Sequence, residues 1–176
     1  MVSGSEPQVP EFPKLHFSSG EPIEIKTAGW RDVGALRTLE QVCFPKDAWP
    51  LWDLIGVLTL PNMVRLKAVL GEQMVGFVAG DYRMREQVAW IATICVQPEY
   101  QRRGIGRALL EACERQLPVA EVRLCVRVSN TGAQAMYRGA GYGVREIWEK
   151  YYSDGEDALV MQKNRLALEK GYNKLQ

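Results

Sequence analysis

The chain has 176 residues, of which 47 % are apolar and 24 % charged, and its net charge is +1. That is enough chain for one domain with a substantial core. A nearly neutral protein has no overall field for nucleic acid or an acidic membrane surface, so any anion site must be built locally. Residues 1–20, with three prolines and two glycines, read as an irregular lead-in. Residues 21–165 read as the domain and 166–176 as a polar tail. The opening MVSGSEPQVPEFPKL lacks the apolar stretch of a signal peptide. No run reaches the ~18 apolar residues of a membrane span. The expectation is a cytoplasmic protein with reduced thiols.

EPIEIKTA alternates as a first strand, with Ile23 and Ile25 on one face. Thr27 is placed to cap a helix from about Ala28 to Cys43, with Val33, Leu36, Leu39 or Glu40, and Cys43 inward and Pro45 ending it. AWPLWDLIGVLTLPN predicts a shorter, apolar helix between Pro50 and Pro61; Trp49 and Trp52 either pack it onto the sheet, the role favoured by aromatics in cores, or line a substrate pocket. MVRLKAVL and QMVGFVAGDYR predict a hairpin about Gly71-Glu72. AWIATICV is a fourth strand, and QRRGIGRALL opens a helix running to about Leu117. EVRLCVRV is a fifth strand, and SNTGAQAMYRGAG a short helix with a glycine-rich exit. REIWEKYY and EDALVMQ predict a last hairpin about Ser153-Asp154-Gly155. The order β-α-α-β-β-β-α-β-α-β-β predicts one α/β (α+β) domain. Its core is a single mixed, largely antiparallel sheet of about seven strands with four helices.

The segment ICVQPEYQRRGIGRALL is strand, short loop, helix. The first turn of a helix leaves backbone N–H groups unsatisfied and carries the positive end of the dipole, so it favours an anion. Gly104 and Gly106 let the backbone approach that anion, while Arg102, Arg103 and Arg107 add charge at the rim. Ile105, Leu109, Ala112 and Cys113 form the stripe that anchors the helix. The pattern GxxxxGK[ST] is absent, and Leu109 stands where GxGxxG needs its third glycine. Both common nucleotide loops are therefore excluded. Taken alone, a GxG at a helix start fits a tight turn with solvated arginines as well as it fits a phosphate site. Four cysteines without a CxxC pair and the single His16 argue against a metal centre.

Gln101-Arg102-Arg103-Gly104-Ile105-Gly106, coming after a strand, closely resembles the acetyl-CoA pyrophosphate loop (Q-x-x-G-x-G) of the GNAT acetyltransferase superfamily. VRVSNTGAQAMYRGAGY resembles that superfamily's second cofactor segment, in which an asparagine precedes a helix carrying a tyrosine. EKYYSDGEDALVM resembles the closing hairpin of the RimI-type (ribosomal-protein alanine) N-terminal acetyltransferases, and CFP at Cys43–Pro45 is typical of that group. The resemblance covers about residues 22–163. It implies a GNAT fold whose fourth and fifth strands splay around acetyl-CoA. It implies that backbone N–H groups of Arg103, Gly104, Ile105, Gly106, Arg107 and Ala108 bind the pyrophosphate, in a loop begun by Gln101 and Arg102. Ile94 and Val96, flanking Cys95, would offer backbone groups to the pantetheine, and Asn130 would hydrogen-bond it. Tyr137 would stand by the sulfur and protonate the leaving thiolate. An amine would attack the thioester directly, with no covalent enzyme intermediate.

The RimI-type general base is a glutamate in the fifth strand, and alignment on Ser129-Asn130 puts Cys125 there. Trp90 falls near a position where some relatives carry a tyrosine in a water relay. Neither an indole nor a thiol is an ordinary base, and Cys125 reads as a small buried residue rather than a nucleophile. Glu40, Asp47, Asp53 and Glu149 are the acids placed to serve instead. Tyr151 and Tyr152 match tyrosines that hydrogen-bond a substrate's backbone near its amino terminus. An α-amine, with a pKa of about 7.7–8.0, is roughly a tenth neutral at pH 7, whereas a lysine amine is neutral only ~0.04 % of the time. A site without an obvious base suits the α-amine better. The expected activity is acetyl-CoA-dependent N-acetylation of a peptide or protein α-amine by a monomer or homodimer, with no nucleic-acid or membrane partner. A small-molecule amine (antibiotic, polyamine or amino acid) is the alternative acceptor, and a non-catalytic acetyl-CoA-binding module the alternative role.

Overall fold

A computed structural model describes residues 22–45 and 47–165. The predicted lead-in 1–20, with His16, and the tail 166–176 lie outside the described residues. Seven strands, β1 (Ile23–Thr27), β2 (Met63–Leu70), β3 (Gln73–Arg83), β4 (Val88–Val96), β5 (Glu121–Arg127), β6 (Gly143–Trp148) and β7 (Ala158–Asn164), form one sheet. Their order is β1-β2-β3-β4-β5-β7-β6. Every pairing is antiparallel except β4 with β5. The helices are α1 (Val33–Cys43), α2 (Leu51–Thr59), α3 (Ile105–Gln116) and α4 (Thr131–Gly139). Among the described residues no helix is long and apolar enough to cross a membrane.

The apolar stripes decide which helix covers which face. The α3 stripe of Ile105, Leu109, Leu110, Ala112 and Cys113 packs on Leu66, Val75, Val78, Ala89 and Leu124. On the opposite face Leu36 and Leu39 of α1 and Leu54, Val57 and Leu58 of α2 pack on Met74, Phe77, Ala79 and Cys95. With both faces covered, β3 is buried continuously from Met74 to Gly80. A Cβ on Gly76 would lie 3.0 Å from Leu109 Cδ1 and 3.2 Å from the Cys95 carbonyl oxygen. Gly76→Ala should therefore overpack the seat of α3 and cost about 1–3 kcal/mol. Equilibrium denaturation should show a lower midpoint at unchanged slope; a wild-type midpoint would mean that α3 lifts off freely.

Three local expectations are corrected. The first helix begins at Val33, not near Ala28, because the Ala28 N–H donates to the Arg65 carbonyl at 3.1 Å and holds the chain on β2. A 3-10 turn, Trp30–Asp32, then reorients it, with Asp32 Oδ2 accepting from the Gly29 N–H at 2.9 Å. The last hairpin is shorter than predicted. β6 stops at Trp148 and β7 starts at Ala158, so Tyr151 and Tyr152 lie in the connecting loop. That loop folds on itself: Gly155 has φ +84°, Lys150 has φ +51°, and the Lys150 N–H donates to Asp157 Oδ1 at 2.8 Å. Trp49 packs as predicted, but Trp52 is 79 % exposed.

The feature that creates a site is a split in the sheet. β4 and β5 pair only where Val88–Ile91 meets Glu121–Leu124. Beyond it β4 stays on β3 as far as Val96, and β5 stays on β7 as far as Arg127. The split starts at a bulge. Ala79 faces Thr93 and Gly80 faces Ile91, which leaves Ala92 as the extra residue. A bulge bends its strand and reverses which side the following side chains take. Ile91 and Ile94 therefore both pack toward α3, while Thr93 and Cys95 turn toward α1.

Candidate active site

The split opens on both faces. One cavity, of about 550 Å³, lies among the end of β4 and the N-termini of α3 and α4. A second, also about 550 Å³, opens by the α1–α2 connection and is walled by Asp47, Trp49, Thr93, Cys125, Arg127 and Tyr152. Both are lined by Cys43, Phe44, Ile94, Asn130, Ala133 and Tyr137, so they meet in the split.

The first cavity is floored by the open start of a helix. Gly104 caps α3 with φ +79°, and Arg102 two residues earlier has φ +61°. The first helical hydrogen bond is Ala108 N–H to the Gly104 carbonyl at 3.0 Å. The N–H groups of Ile105, Gly106 and Arg107 precede any intrahelical acceptor. A Cβ on Gly106 would sit 3.2 Å from Met136 Sδ and 3.7 Å from Val96 Cγ2, so only glycine keeps that floor open. Arg102 and Arg107 reach across toward Gly132 and Gly139 of α4. Arg107 also pairs with Glu111 at 2.8 Å, and Arg103 lies 5.4 Å over the Tyr100 ring.

Hydrogen-bond alternation decides which way β4 aims its backbone. The Gln97 N–H donates to the Val75 carbonyl at 2.9 Å. By the antiparallel alternation, Cys95 and Thr93 bond β3, and Ile94 and Val96 aim at the split. The Val96 carbonyl accepts from Gln101 Nε2 at 2.9 Å and from the Cys43 thiol at 3.4 Å. Gln101 thus ties the loop before α3 to the strand end. Asn130 is the N-cap of α4, its Oδ1 accepting from the Ala133 N–H at 3.1 Å, which leaves its amide nitrogen to donate. The buried Gln134, which sequence reading missed, donates to the carbonyls of Arg127 and Val128 and fastens α4 to β5. A polar residue on the inner side of an amphipathic helix was the signal. Tyr137 is 5 % exposed, its ring 5.9 Å from that of Tyr142. Burial holds its phenol well above the usual value, so it stays protonated.

In the second cavity Cys125 is half-buried and in hydrogen-bonding reach of the Tyr151 hydroxyl. Burial pushes its thiol up, which leaves it neutral and a poor nucleophile. Trp90 is not part of the wall. It stacks on Trp148 at 5.7 Å, starting a row that continues to Tyr151 at 5.4 Å and Tyr152 at 5.1 Å. Tyr152 lines the cavity, with Arg127 3.9 Å over its ring and its phenol pushed up to about 12 by burial. Arg127 clamps the mouth, bonding Asp47 at 2.5 Å, Glu156 at 2.7 Å and Asp154 at 3.0 Å. Of the acids singled out in the sequence, Asp47 is thus committed to Arg127, and Asp53 and Glu149 are exposed and line neither cavity. Glu40 is buried behind the wall and accepts from Thr93.

Comparison with known proteins agrees with this architecture. The chain is 33 % identical over 146 residues to an N-acetyltransferase of Methanocaldococcus jannaschii, covering 80 % of this chain and 91 % of that one. The crystal structure of the ribosomal-protein-S18-alanine N-acetyltransferase from Escherichia coli superposes with a TM-score of 0.74 at 29 % identity, covering 81 % of this chain and 93 % of that one. Arabidopsis thaliana NAA60, crystallised with acetyl-CoA, shares the fold with a TM-score of 0.71 at 19 % identity, over 81 % of this chain and 99 % of that one. The profile of the acetyltransferase (GNAT) family matches residues 34–142, more than half the chain. With a sheet split at β4–β5, an open helix terminus beside it and a buried tyrosine between its two mouths, the chain belongs to the GNAT family and is an N-acetyltransferase.

Proposed function

We propose that this enzyme transfers acetyl from acetyl-CoA to the α-amine of a peptide or protein by direct attack on the thioester. The observation that carries the reading is the position of Tyr137, a protonated phenol lining both cavities where they meet. The residues present fit the donor. The free N–H groups at the start of α3 and the arginines beside them suit a pyrophosphate. The outward backbone of Ile94 and the outward N–H of Val96, with the Asn130 amide, suit the two amides of a pantetheine arm. The glycine floor at Gly106 leaves room for that arm. Acetyl-CoA, when bound, supplies the activated acyl group as a thioester. Tyr137 then has one task, to give its proton to the departing sulfur.

On the other side Tyr152, in the wall of the acceptor cavity, and Tyr151, beside Cys125 of that wall, would hydrogen-bond a peptide backbone. The similar Escherichia coli structure is a ribosomal-protein-S18-alanine N-acetyltransferase, which supports a protein acceptor here. One observation favours a small polycation instead: three carboxylates surround the single Arg127 at that mouth. Mass spectrometry of peptides with free α-amines, the same peptides with blocked termini and free lysines, and a panel of polyamines and aminoglycosides separates the readings. Acetylation of the free α-amines alone is expected. Acetylation of the small amines alone would overturn the peptide reading.

A further inference from the structure

An amine reaches its site as an ammonium ion and must lose a proton before it can attack. By the sequence resemblance Cys125 falls at the position of a glutamate base, and a thiol kept neutral by burial does not serve. Glu40 of α1 has the geometry that Asp47, Asp53 and Glu149 lack. It is 1 % exposed, and its Oε1 accepts from Thr93 Oγ1 at 3.1 Å. Its Oε2 is buried with no hydrogen-bond partner. The Trp49 backbone N–H is near enough to ease its charge, though not in hydrogen-bonding geometry. Leaving a carboxylate oxygen buried and unpartnered is costly, and an apolar side chain would have completed the cluster of Leu36, Leu39 and Phe77. Thr93 connects this group to the site. The bulge at Ala92 turns its hydroxyl toward α1, and Thr93 is itself part of the acceptor cavity wall. A hydroxyl donates once and accepts twice, so one that donates to Glu40 still has an acceptor lone pair for the cavity.

We propose that Glu40, acting through Thr93, is the proton acceptor for the incoming amine; this rests on reading the cleft as an acetyltransferase site. The Thr93 oxygen takes one proton from R–NH3+ while its own proton passes to Glu40 Oε1, giving R–NH2 and a neutral Glu40 carboxyl. The nitrogen lone pair then forms the N–C bond as the C–S bond breaks. Tyr137 gives its proton to the sulfur and recovers one from the new amide nitrogen. Glu40 returns its proton to solvent by the same hydroxyl, so one proton is released per acetyl transferred. Glu40 is a positioning and proton-holding residue that never touches the substrate.

Burial raises the Glu40 carboxyl above the usual carboxylate range, against the smaller lowering effects of Thr93 and Trp49. The titratable groups facing it are Cys43 on α1 and Cys95 on β4. The α2 and β3 residues packed on α1 are apolar, among them Leu54, Val57 and Phe77. A base with a raised pKa works only above that pKa, so the acidic limb of the rate profile should lie above the ordinary carboxylate range.

The test compares Glu40→Gln, Thr93→Ala and Thr93→Ser with wild type, acetylating a peptide α-amine from pH 6 to 9.5. Glu40→Gln and Thr93→Ala should each lose about 10²-fold or more in kcat/KM at pH 7. The loss should shrink toward pH 9, where an α-amine of pKa about 7.7–8.0 is already neutral. Thr93→Ser should restore most of the rate. Calorimetric acetyl-CoA affinity should be unchanged. Glu40→Gln should melt no lower than wild type at pH 7, because a raised folded-state pKa means that the ionised carboxylate weakens the fold as pH rises through it. Thr93→Ala leaves the carboxyl in place and decides the matter should Glu40→Gln not fold. Variants within threefold of an active wild type, with the same pH profile, would overturn this inference alone. A wild type inactive on every amine would overturn the functional reading and this inference with it.

Discussion

Replacing Tyr137 with phenylalanine is expected to lower kcat by about 10²–10⁴-fold while leaving acetyl-CoA affinity within a factor of about three. The phenol lies at the junction of the two cavities, and the substitution removes its proton without moving the ring. Packing on Tyr142, 5.9 Å away, is retained, so the melting temperature should barely change. The pH dependence gives a second check. Burial raises the phenol's pKa, so Tyr137 remains protonated up to and beyond pH 10, and it should impose no alkaline fall on the wild-type rate between pH 7 and 10. A variant whose kcat stays within threefold would mean that the leaving sulfur takes its proton from water.

Gly104→Trp is expected to remove measurable acetyl-CoA binding from a protein that still folds. A Cβ at Gly104 meets nothing within 4 Å, so a side chain can leave the backbone there without an immediate clash. The backbone there has φ +79°, which costs an L residue about 1–2 kcal/mol, a tolerable fraction of a domain's stability. A bulky side chain there stands directly before the N–H groups that open α3, where an anion would have to approach. Gly104→Ala separates strain from bulk, since it bears the same φ with one methyl group. Alanine should weaken binding mildly and tryptophan should abolish it. If both lose binding equally, the loop's backbone geometry rather than access is limiting. Normal affinity in a folded Gly104→Trp variant would sink the assignment of this helix terminus to the pyrophosphate.

Much of the fold was legible because it follows from short-range chemistry. The hairpin of β2 and β3 falls on the predicted residues, since two apolar runs flank a turn at Gly71, which has φ +57°. The α3 stripe from Ile105 to Cys113 announced both the helix and its buried side. Gly104 and Gly106 beside arginines announced an anion loop, and Asn130 ahead of Tyr137 announced a capped helix carrying a buried phenol. Where prediction drifted, a distant partner had overruled local preference. The carbonyl of Arg65 delays α1, and Arg127, clamping Asp47, Asp154 and Glu156, holds Tyr151 and Tyr152 in a loop instead of a strand.

The sequence by itself determined the elements, the two apolar faces of the sheet, the anion loop and the kinship with acetyltransferases, because each is written in the spacing of neighbouring residues. The resemblance also implied that the fourth and fifth strands part; only the tertiary structure decided at which residue they do so and what faces the opening. The Ala92 bulge is one unpaired residue in an otherwise regular apolar run, and no periodicity marks it. It bends β4 from β5, aims the backbone of Ile94 and Val96 into the gap, and turns Thr93 onto Glu40, 53 positions away in sequence. Long-range pairing of strands and helices set that alignment, and the chemistry proposed for the acceptor side depends on it.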